Sequence, residues 1–591
     1  MSYIKNQPFE IKSFLGLNRS ESAMPNEMYD MQNLTSDKYP YLSPKKADTE
    51  VTFYLKNGDA VSGNVRAVIT PSEGITGFCG IIGTDFYYNG EKKPMKVPAV
   101  YENGVFQYGM EIASDGKLQL IQSNRIIIIH GWDCKERTPY IYYYNTNDYG
   151  KSDDNVKSYE YKKESYYTEH TMTTNEDGTA TVNSTVEVAG KFKGGYFDFK
   201  EGDSVFIDGY MRYVDSRWDE PAKNQITSAY VMSYTETLYT EQNGKETWKC
   251  ELKLRLCNNK GENPIDNTGT YKVRHIYKKI PYMTHLTLHK GRLWGANPNG
   301  EYVYASALGE IFDFSRFDGL NDDSIFLESS TGGGYLGVIS CGDALAVFKK
   351  KDMEVIYGEL PSEFAVGRYY AGCGCCDISS CVVIDDILYY LNDRGVYAWN
   401  GSRPVKISER LNKKYKGGFG FTDGEKYFIS ATDDNGADET LCYTPKYGLW
   451  HRIDETPVSG AFELGERMYI VKNDSIYIME SGEKTVRWNA QSAKCFSDEY
   501  YLESISGLWI FAKMGKKSEI KVYTSVDDGE WEYCGEIRGT KKTEIYRIPV
   551  RMRDGYYWRY RLEGMGDSVV YGIKADIKDG GQIYSNERIR E

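Results

Sequence analysis

Hydrophobic and polar residues alternate along this chain in pairs of short runs that are separated by turn residues. Residues 384–401 read IDDILYYLNDRGVYAWNG, and residues 463–482 read ELGERMYIVKNDSIYIMESG. In each segment the first run reaches an Asn-Asp dipeptide, beginning at Asn392 or Asn473, and the second run ends in glycine. Period-two alternation interrupted by Asn, Asp and Gly is typical of a half-buried β-hairpin.

Weaker copies of the same hairpin pattern occur in five further segments. They span residues 83–90, 125–145, 289–306, 342–358 and 422–450. A four-stranded sheet built this way cannot bury both of its faces alone, and repeated sheets solve this by stacking around an axis. The sequence therefore predicts an all-β protein whose main domain is a β-propeller of about seven blades.

Interruptions of the pattern divide the chain into five predicted segments. Residues 51–150 and 281–482 are the two parts of the propeller. Between them, residues 151–280 are rich in Thr, Tyr and charge, which predicts an inserted small β-barrel or β-sandwich domain. Residues 483–591 carry strands at sandwich spacing and predict a C-terminal β-sandwich. Residues 1–50 have no hairpin of their own and predict an extended N-terminal arm.

The predicted arm is too apolar to be a solvated tail, yet it has too little core to fold alone. Its apolar residues include Phe14, Leu15, Leu17, Met28, Met31 and Leu34. The last three have helical spacing after Pro25, which predicts one short helix. Two placements explain the arm equally well. It lies at a boundary with a neighbouring subunit, or it is a strap that closes the propeller within one chain.

Composition narrows the classes of function that fit the chain. A length of 591 residues predicts three or four domains, and 52 Tyr residues suit pleated sheets and partly wet interfaces. The formal net charge of −13 argues against a clamp on nucleic acid but permits a channel through which DNA slides. No apolar run reaches the length of a membrane span, and the start lacks the layout of a signal peptide, so we expect synthesis in the cytoplasm.

The sequence shows no arrangement of residues that we would assign to catalysis, a cofactor or a metal. The densest cysteine cluster, Cys373, Cys375, Cys376 and Cys381, lacks the two spaced pairs of a structural zinc site. The six His residues include no H-E-x-x-H motif, and the chain has neither G-x-S-x-G nor a P-loop. We therefore expect a protein that is not an enzyme.

Three stretches, taken in order, resemble a known family. The first is FLGLN followed by PNEMYDMQNL and LSPKK, and the second is HLTLHKGRLWGANPNGEYVYASALGEIFDF. The third is LGVISCGDALAVFKKKDMEVIYG followed by GCCDISSCVVIDDILYYLNDRGVYAWNG. Together they resemble the tail-nozzle and head–tail stabilisation proteins of tailed bacteriophages, especially short-tailed ones. The resemblance covers about residues 10–50 and 280–405, plus the propeller-like remainder.

The resemblance implies a structural virion protein of the tail or neck. It implies a homohexameric ring of propeller subunits around the DNA exit channel, which retains DNA and permits its ejection. The expected partners are portal and adaptor proteins, other tail proteins, and phage DNA that passes without sequence-specific binding. The matched arm positions, which would dock on the assembly, are Gly16, Leu17, Asn18 and Asn33. The matched positions of a blade core and its turns are Arg292, Trp294, Ser306, Asp313 and Phe314.

Two other functions stay open. Residues 525–531, SVDDGEW, differ from the Asp-box of sialidases by one residue before the aromatic, although a hairpin with an Asp-Gly turn explains them fully. With the C-terminal sandwich, this turn supports a glycan-binding or glycan-cleaving receptor-recognition tail protein. A cellular propeller scaffold is the third possibility, and its gene neighbourhood would lack portal, capsid and terminase genes.

Overall fold

The computed structural model describes most of the chain. The described residues are 9–71, 74–95, 111–135, 139–158, 170–189, 199, 201–208, 211–214, 217–218, 228–242, 245–257, 268–273, 275–278, 280–298, 300, 302–314, 320–328, 331–482, 486–496 and 501–582. They consist of β-strands, connecting loops and three short 3₁₀ helices, Thr146–Asp148, Ile378–Ser380 and Glu409–Leu411. Two compact units result: unit 1 is Met1–Thr52 with Ser379–Glu591, and unit 2 is Phe53–Ile378.

The described residues of unit 2 form four blade sheets, each made of four consecutive antiparallel strands. The first blade is Val65–Val68, Gly80–Ile82, Asp85–Tyr88 and Glu91–Lys92. The second is Lys117–Ser123, Ile126–Trp132, Tyr140–Asn145 and Lys157–Ser158. The third is Thr287–His289, Arg292–Ala296, Tyr302–Ala305 and Ile325–Glu328. The fourth is Tyr335–Cys341, Ala344–Lys349, Asp352–Tyr357 and Ala365–Ala371.

A nine-stranded antiparallel sheet lies between the second and third blades in the sequence. Its strands, in spatial order, are Arg217–Trp218, Met211–Val214, Gly269–Val273, His170–Thr174, Thr179–Ala189, Lys245–Cys257, Ser228–Gln242, Ser204–Asp208 and His275–Lys278. It has a core of its own that includes Met172, Val182, Leu252 and Leu254. Its first described strand begins at His170, since Lys157–Ser158, within the predicted range 151–280, pairs with the second blade instead.

In unit 1, the part of the chain that the structure describes forms three further blade sheets. The fifth blade is Val382–Ile384, Ile387–Asn392, Gly395–Trp399 and Val405–Lys406. The sixth is Tyr415–Thr422, Tyr427–Asp433, Asp438–Thr444 and Leu449–Asp454. The seventh takes three strands from one stretch, Val458–Leu464, Arg467–Lys472 and Ser475–Gly482, and its fourth, Ala47–Val51, from the N-terminal segment. The all-β, β-propeller fold class is confirmed.

The rest of unit 1 is a β-sandwich to which two N-terminal strands are added. One sheet is Phe9–Ile11, Ser568–Gln582, Tyr501–Met514 and Thr543–Pro549 in spatial order. The other is Met28–Gln32, Arg487–Ser492, Trp558–Met565, Glu519–Val526 and Glu532–Arg538. A two-stranded ribbon, Leu34–Thr35 with Ser43–Pro44, follows the second added strand.

The two hairpin turns predicted from the sequence differ in outcome. Asn473 and Asp474 have φ of 48° and 62° between paired Lys472 and Ser475, as a two-residue type I′ turn requires. The other turn is displaced by one residue, because Asn392 still pairs with Gly395 in the ladder. The Asn392 side chain is buried, and its Oδ1 accepts a hydrogen bond from the Arg394 backbone N–H. Asn392 is therefore the last residue before the turn and not part of it.

The short helix predicted after Pro25 is wrong. Met28–Gln32 is a strand that pairs with Arg487–Ser492, and its register shifts between Met28 and Asp30. Such a β-bulge breaks the strict two-residue alternation. Met28 and Met31 are therefore both buried although they are three residues apart, which imitates the spacing of a helix.

Candidate functional site: the N-terminal clasp

Residues 9–51, here called the N-terminal clasp, join several sheets of unit 1. Phe9–Ile11 and Met28–Gln32 each extend one sheet of the sandwich, and Ala47–Val51 completes the seventh blade. The sixth blade is reached by a backbone hydrogen bond of 2.7 Å from the Leu17 N–H to the Trp450 carbonyl. Each added strand exchanges backbone hydrogen bonds with its neighbour, so the clasp is bonded to unit 1 at several points along its length.

Five of the six apolar residues that the sequence singled out lie inside this chain's own unit 1, and Leu15 is half-buried. Phe14, Leu17, Met28, Met31 and Leu34 are all buried, and none is more than 3% exposed. Burial of each such side chain contributes about 1.5–3 kcal/mol. This placement favours the strap alternative over an interface built by these five side chains.

Gly16 lies where the clasp touches the sixth blade most closely. Its φ is 72°, and a Cβ atom there would lie 2.6 Å from the Trp450 carbonyl oxygen. The Gly16 carbonyl accepts a 2.8 Å hydrogen bond from the Met28 N–H. Glycine is therefore required both for the left-handed backbone and for the close approach.

Asn18 organises the loop between the first two clasp strands. Its Nδ2 donates to the Glu27 Oε2 at 2.7 Å, and its Oδ1 accepts from the Ser20 N–H at 3.0 Å. The same Glu27 oxygen accepts from the Met24 N–H at 2.8 Å. The buried polar groups of this loop are thus paired with each other.

Asn33 forms the corner that follows Met28–Gln32. It has a φ of 57°, a conformation that Asn tolerates better than most residues. Its Nδ2 donates to the Arg487 carbonyl at 2.8 Å, and its N–H donates to the Ile453 carbonyl at 3.2 Å. Asn33 therefore bonds the clasp both to the sandwich and to the sixth blade.

Arg19 forms the central ionic contact of the clasp, and no pattern in the sequence predicted this contact. Its two terminal nitrogens donate to the two oxygens of Glu439 at 2.9 and 2.8 Å. The Tyr415 hydroxyl donates to the same carboxylate at 2.5 Å, and Lys413 lies 3.4 Å away. Burial alone would raise the pKa of Glu439, but these partners, Arg19 above all, hold that pKa below its usual value.

Asp48 forms a second ionic contact at the other end of the clasp. Its carboxylate lies 2.8 Å from the Lys472 ammonium of the seventh blade and 3.0 Å from Lys45. Lys472 also contacts Asp454 at 2.9 Å. Burial would raise the pKa of Asp48, but the charges of Lys45 and Lys472 lower it below its ordinary value.

The fourth blade contains an arrangement that parallels the Arg19 contact. There the Tyr335 hydroxyl donates to Glu354 at 2.7 Å, and the Lys349 ammonium lies 3.8 Å from the same carboxylate. In both blades the Tyr opens the first strand and the Glu is on the third. The fourth blade takes its cation from its own second strand, whereas the sixth takes Arg19 from the clasp. The clasp thus completes a polar cluster that another blade completes alone.

The cysteine cluster and the third-blade residues named from the sequence lie outside the clasp. Cys373 and Cys375 are buried, and the described part of the chain contains no group of three or more His, Cys, Asp or Glu placed to hold a metal ion. Arg292 is buried in the third blade and donates to the carbonyls of Ser306 and Asn321 at 2.8 and 2.9 Å. The other matched positions of that blade that are buried are Trp294, Ser306 and Phe314.

The Asp-box-like segment is a hairpin turn in the sandwich. Its left-handed residues are Asp527 and Asp528, with φ of 46° and 58°, so the predicted Asp-Gly turn is displaced by one residue. The Trp531 ring faces the guanidinium groups of Arg561 and Arg559 at 4.9 and 5.6 Å. Trp531 therefore has cation–π partners within the chain.

Comparison with known proteins adds only distant structural matches. No protein-family model and no curated protein matches the chain. Exo-β-1,3-galactanase from Phanerochaete chrysosporium matches at 10% identity and a TM-score of 0.21, covering 50% of this chain and 96% of that one. Trypanosoma rangeli sialidase matches at 9% identity and 0.23, covering 92% and 97%. An arabinoxylan arabinofuranohydrolase from Bacillus subtilis matches at 9% identity and 0.15, covering 97% of each chain.

These matches correct one expectation. All three proteins are named as enzymes that act on glycans, which contradicts the expectation that the chain is not an enzyme, and we withdraw that expectation. TM-scores of 0.15 to 0.23 transfer no activity to this chain. Within its described residues, no helix is long and apolar enough to cross a membrane.

Proposed function

We propose that this chain is a structural subunit of a tailed-bacteriophage virion, in the tail or neck. In this proposal a ring of copies, six by the family resemblance, surrounds the DNA exit channel, retains DNA and permits its ejection. The subunit would be made in the host cytoplasm and would contact portal, adaptor and other tail proteins. The observation that carries the proposal is the N-terminal clasp.

The clasp suits a subunit that must resist force. Its strands run antiparallel to strands of the sandwich and the seventh blade, so pulling them along their axes loads several hydrogen bonds at once. The residues that resemble the phage family, Gly16, Asn18 and Asn33, make the contacts that hold the clasp in place. Retention of packaged DNA requires such resistance.

The charge of the chain supports the same proposal. Six copies of a chain with net charge −13 carry 6 × −13, roughly −78, because cyclic symmetry repeats each surface. An acidic channel avoids the phosphate contacts that would hold DNA in place. DNA would therefore pass without sequence-specific binding.

Imaging of assembled virions tests this proposal. The expected result is a ring of this protein with a central channel below the portal. Immunolabelling with an antibody to the C-terminal sandwich would locate the chain along the particle. A protein that is stable as a monomer, and absent from purified virions, contradicts the proposal.

Recognition of glycans is a second candidate, favoured by a lysine-rimmed cavity in the C-terminal sandwich. Binding of the intact chain to a glycan array tests it. Trp531 is a poor target for this purpose because its ring already contacts Arg559 and Arg561. If the folded protein binds no glycan on the array, this candidate is wrong and the assembly proposal is unaffected.

A further inference from the structure

An open cavity of about 370 Å³ lies on the C-terminal sandwich. The residues that define its chemistry are Lys38, Lys513, Lys516, Lys541, Asp567 and Tyr571. We infer that this cavity binds an acidic saccharide, with the carboxylate of the sugar among the lysines. The inference deepens the glycan-recognition candidate and rests on it, by naming the site and the class of ligand.

The charge of the cavity is opposite to that of the chain. Four lysines and one aspartate line it, whereas the whole chain has a net charge of −13. Lys38 lies 3.9 Å from Asp567. Among the described residues, no carboxylate lies within 4.0 Å of the Lys513, Lys516 or Lys541 ammonium groups. Three lysines that line one cavity without a carboxylate partner favour an anion there.

The backbone around the cavity is tightly packed. Lys513 is on the strand Tyr501–Met514, and Gly515 begins the turn that follows it. The Gly515 carbonyl accepts from the Ser518 hydroxyl at 2.8 Å, and a Cβ atom on Gly539 would lie 1.7 Å from the same oxygen. The lysines are therefore attached to a fixed frame, which limits the entropy lost when a ligand binds.

Two further aromatic rings lie beside Tyr571, the aromatic residue that lines the cavity. The Tyr571 ring lies 5.0 Å from Phe511 and 4.8 Å from Tyr41, and these two neighbours are 42% and 37% exposed. Exposed aromatic faces beside polar groups suit the apolar face and hydroxyl rim of a sugar ring. Asp567 can accept hydrogen bonds from those hydroxyls.

A nucleic acid fits the cavity less well than a saccharide. Stacking rings with basic residues is also the chemistry of single-strand binding. A polynucleotide, however, carries a phosphate at every residue and would meet the strongly acidic remainder of the chain. A saccharide in which a single acidic sugar lies among the lysines brings one charge, whereas a polynucleotide extends its phosphates beyond the cavity.

Calorimetric titration of the full-length protein tests the inference. The probes are trigalacturonate and its uncharged galactose counterpart, which differ in the carboxylate alone. We expect binding of the acidic trimer and at least about tenfold weaker binding of the neutral one. Lys513→Gln and Lys541→Gln should each weaken the acidic trimer about tenfold, while Lys414→Gln, an exposed lysine of unit 1 outside the cavity, should leave binding unchanged.

Several results would overturn the inference. They are equal binding of the two trimers, no binding at millimolar concentration, and unchanged binding in both cavity variants at unchanged melting temperature. Tighter binding of a hexathymidylate that Lys513→Gln abolishes would assign the cavity to nucleic acid instead. Because the variants retain the clasp, ring assembly measured in parallel separates failure of this site from failure of the assembly proposal.

Discussion

The Arg19 guanidinium and the Glu439 carboxylate form a two-point ion pair across 420 positions of sequence, with N–O distances of 2.9 and 2.8 Å. Their side chains are 14% and 4% exposed. Removal of one member of a buried pair leaves an uncompensated charge, which costs far more than loss of an exposed pair. The pair therefore reports whether the N-terminal clasp is in place.

Arg19→Met should destabilise unit 1 by about 3 kcal/mol, because Glu439 keeps its buried charge without its main partner. Urea unfolding followed by tryptophan fluorescence measures the change. Arg538→Met is the matched control, since Arg538 is 79% exposed and pairs with Glu536 at the surface. Its expected cost is below about 1 kcal/mol. Equal costs for the two variants would contradict the role given to Arg19.

Gly16→Ala should destabilise the protein by more than about 2 kcal/mol, because the added methyl meets the Trp450 carbonyl and the backbone is left-handed. Gly424→Ala separates these two causes. Gly424 has a φ of 97° with nothing within 4 Å of the added atom, so it reports strain alone, about 1 kcal/mol. If Gly424→Ala proves the more costly of the two, close packing at Gly16 is not the reason for glycine there.

Stability should fall between pH 6.5 and about pH 4. Burial is the main cause that lowers the pKa of His130 to about 3 and those of His285, His289 and His451 to about 4. The unfolded chain therefore binds protons that the folded chain rejects. The stability from these neutral rings is fully present above the unfolded pKa of about 6.5 and is lost as pH falls toward the folded values.

His451→Phe tests this prediction at one site. Replacement by a ring that does not titrate should reduce the slope of unfolding free energy against pH by up to about 1.4 kcal/mol per unit in that window. Chemical unfolding at a series of pH values gives the slope. The ion-paired carboxylates of the clasp do not confuse the result, because lowered acid pKa values act below the ordinary value of about 4. An unchanged slope would show that His451 titrates normally.

Deletion of residues 1–35 should lower the melting temperature of the monomer by several degrees or prevent its folding. The deletion removes two strands of the sandwich and the five buried apolar side chains of the clasp. Calorimetry combined with size-exclusion chromatography separates the two roles considered for this segment. If the monomer melts unchanged while ring assembly fails, the segment acts at a subunit boundary and the strap interpretation is wrong.

Local patterns in the sequence predicted the sheets well because strand alternation is a local property. The Asn473-Asp474 turn could be predicted because Asn and Asp tolerate left-handed backbone. The strand at Met28–Gln32 could not, since its β-bulge depends on a partner more than 450 positions away and makes the buried spacing look helical.

The ionic contacts of the clasp were out of reach for a different reason. Nothing near Arg19 in the sequence distinguishes it from an exposed arginine, and Glu439 lies in a blade whose register decides which side chains meet it. Asp48 and Lys472 are likewise joined only after Ala47–Val51 pairs with the seventh blade. Apolar clasp residues were recognisable from composition alone, but their partners were not.

The pairing of Phe9 with Ala575 has a consequence for biosynthesis. At about 5–20 residues per second, a ribosome needs roughly half a minute to two minutes to travel from one to the other. Throughout that interval Phe9–Ile11 has no sheet to join, although the sixth and seventh blades that contact the rest of the clasp are made earlier. The part of the subunit that is translated first is therefore among the last to be covered, and cotranslational holding by a chaperone would be most valuable there.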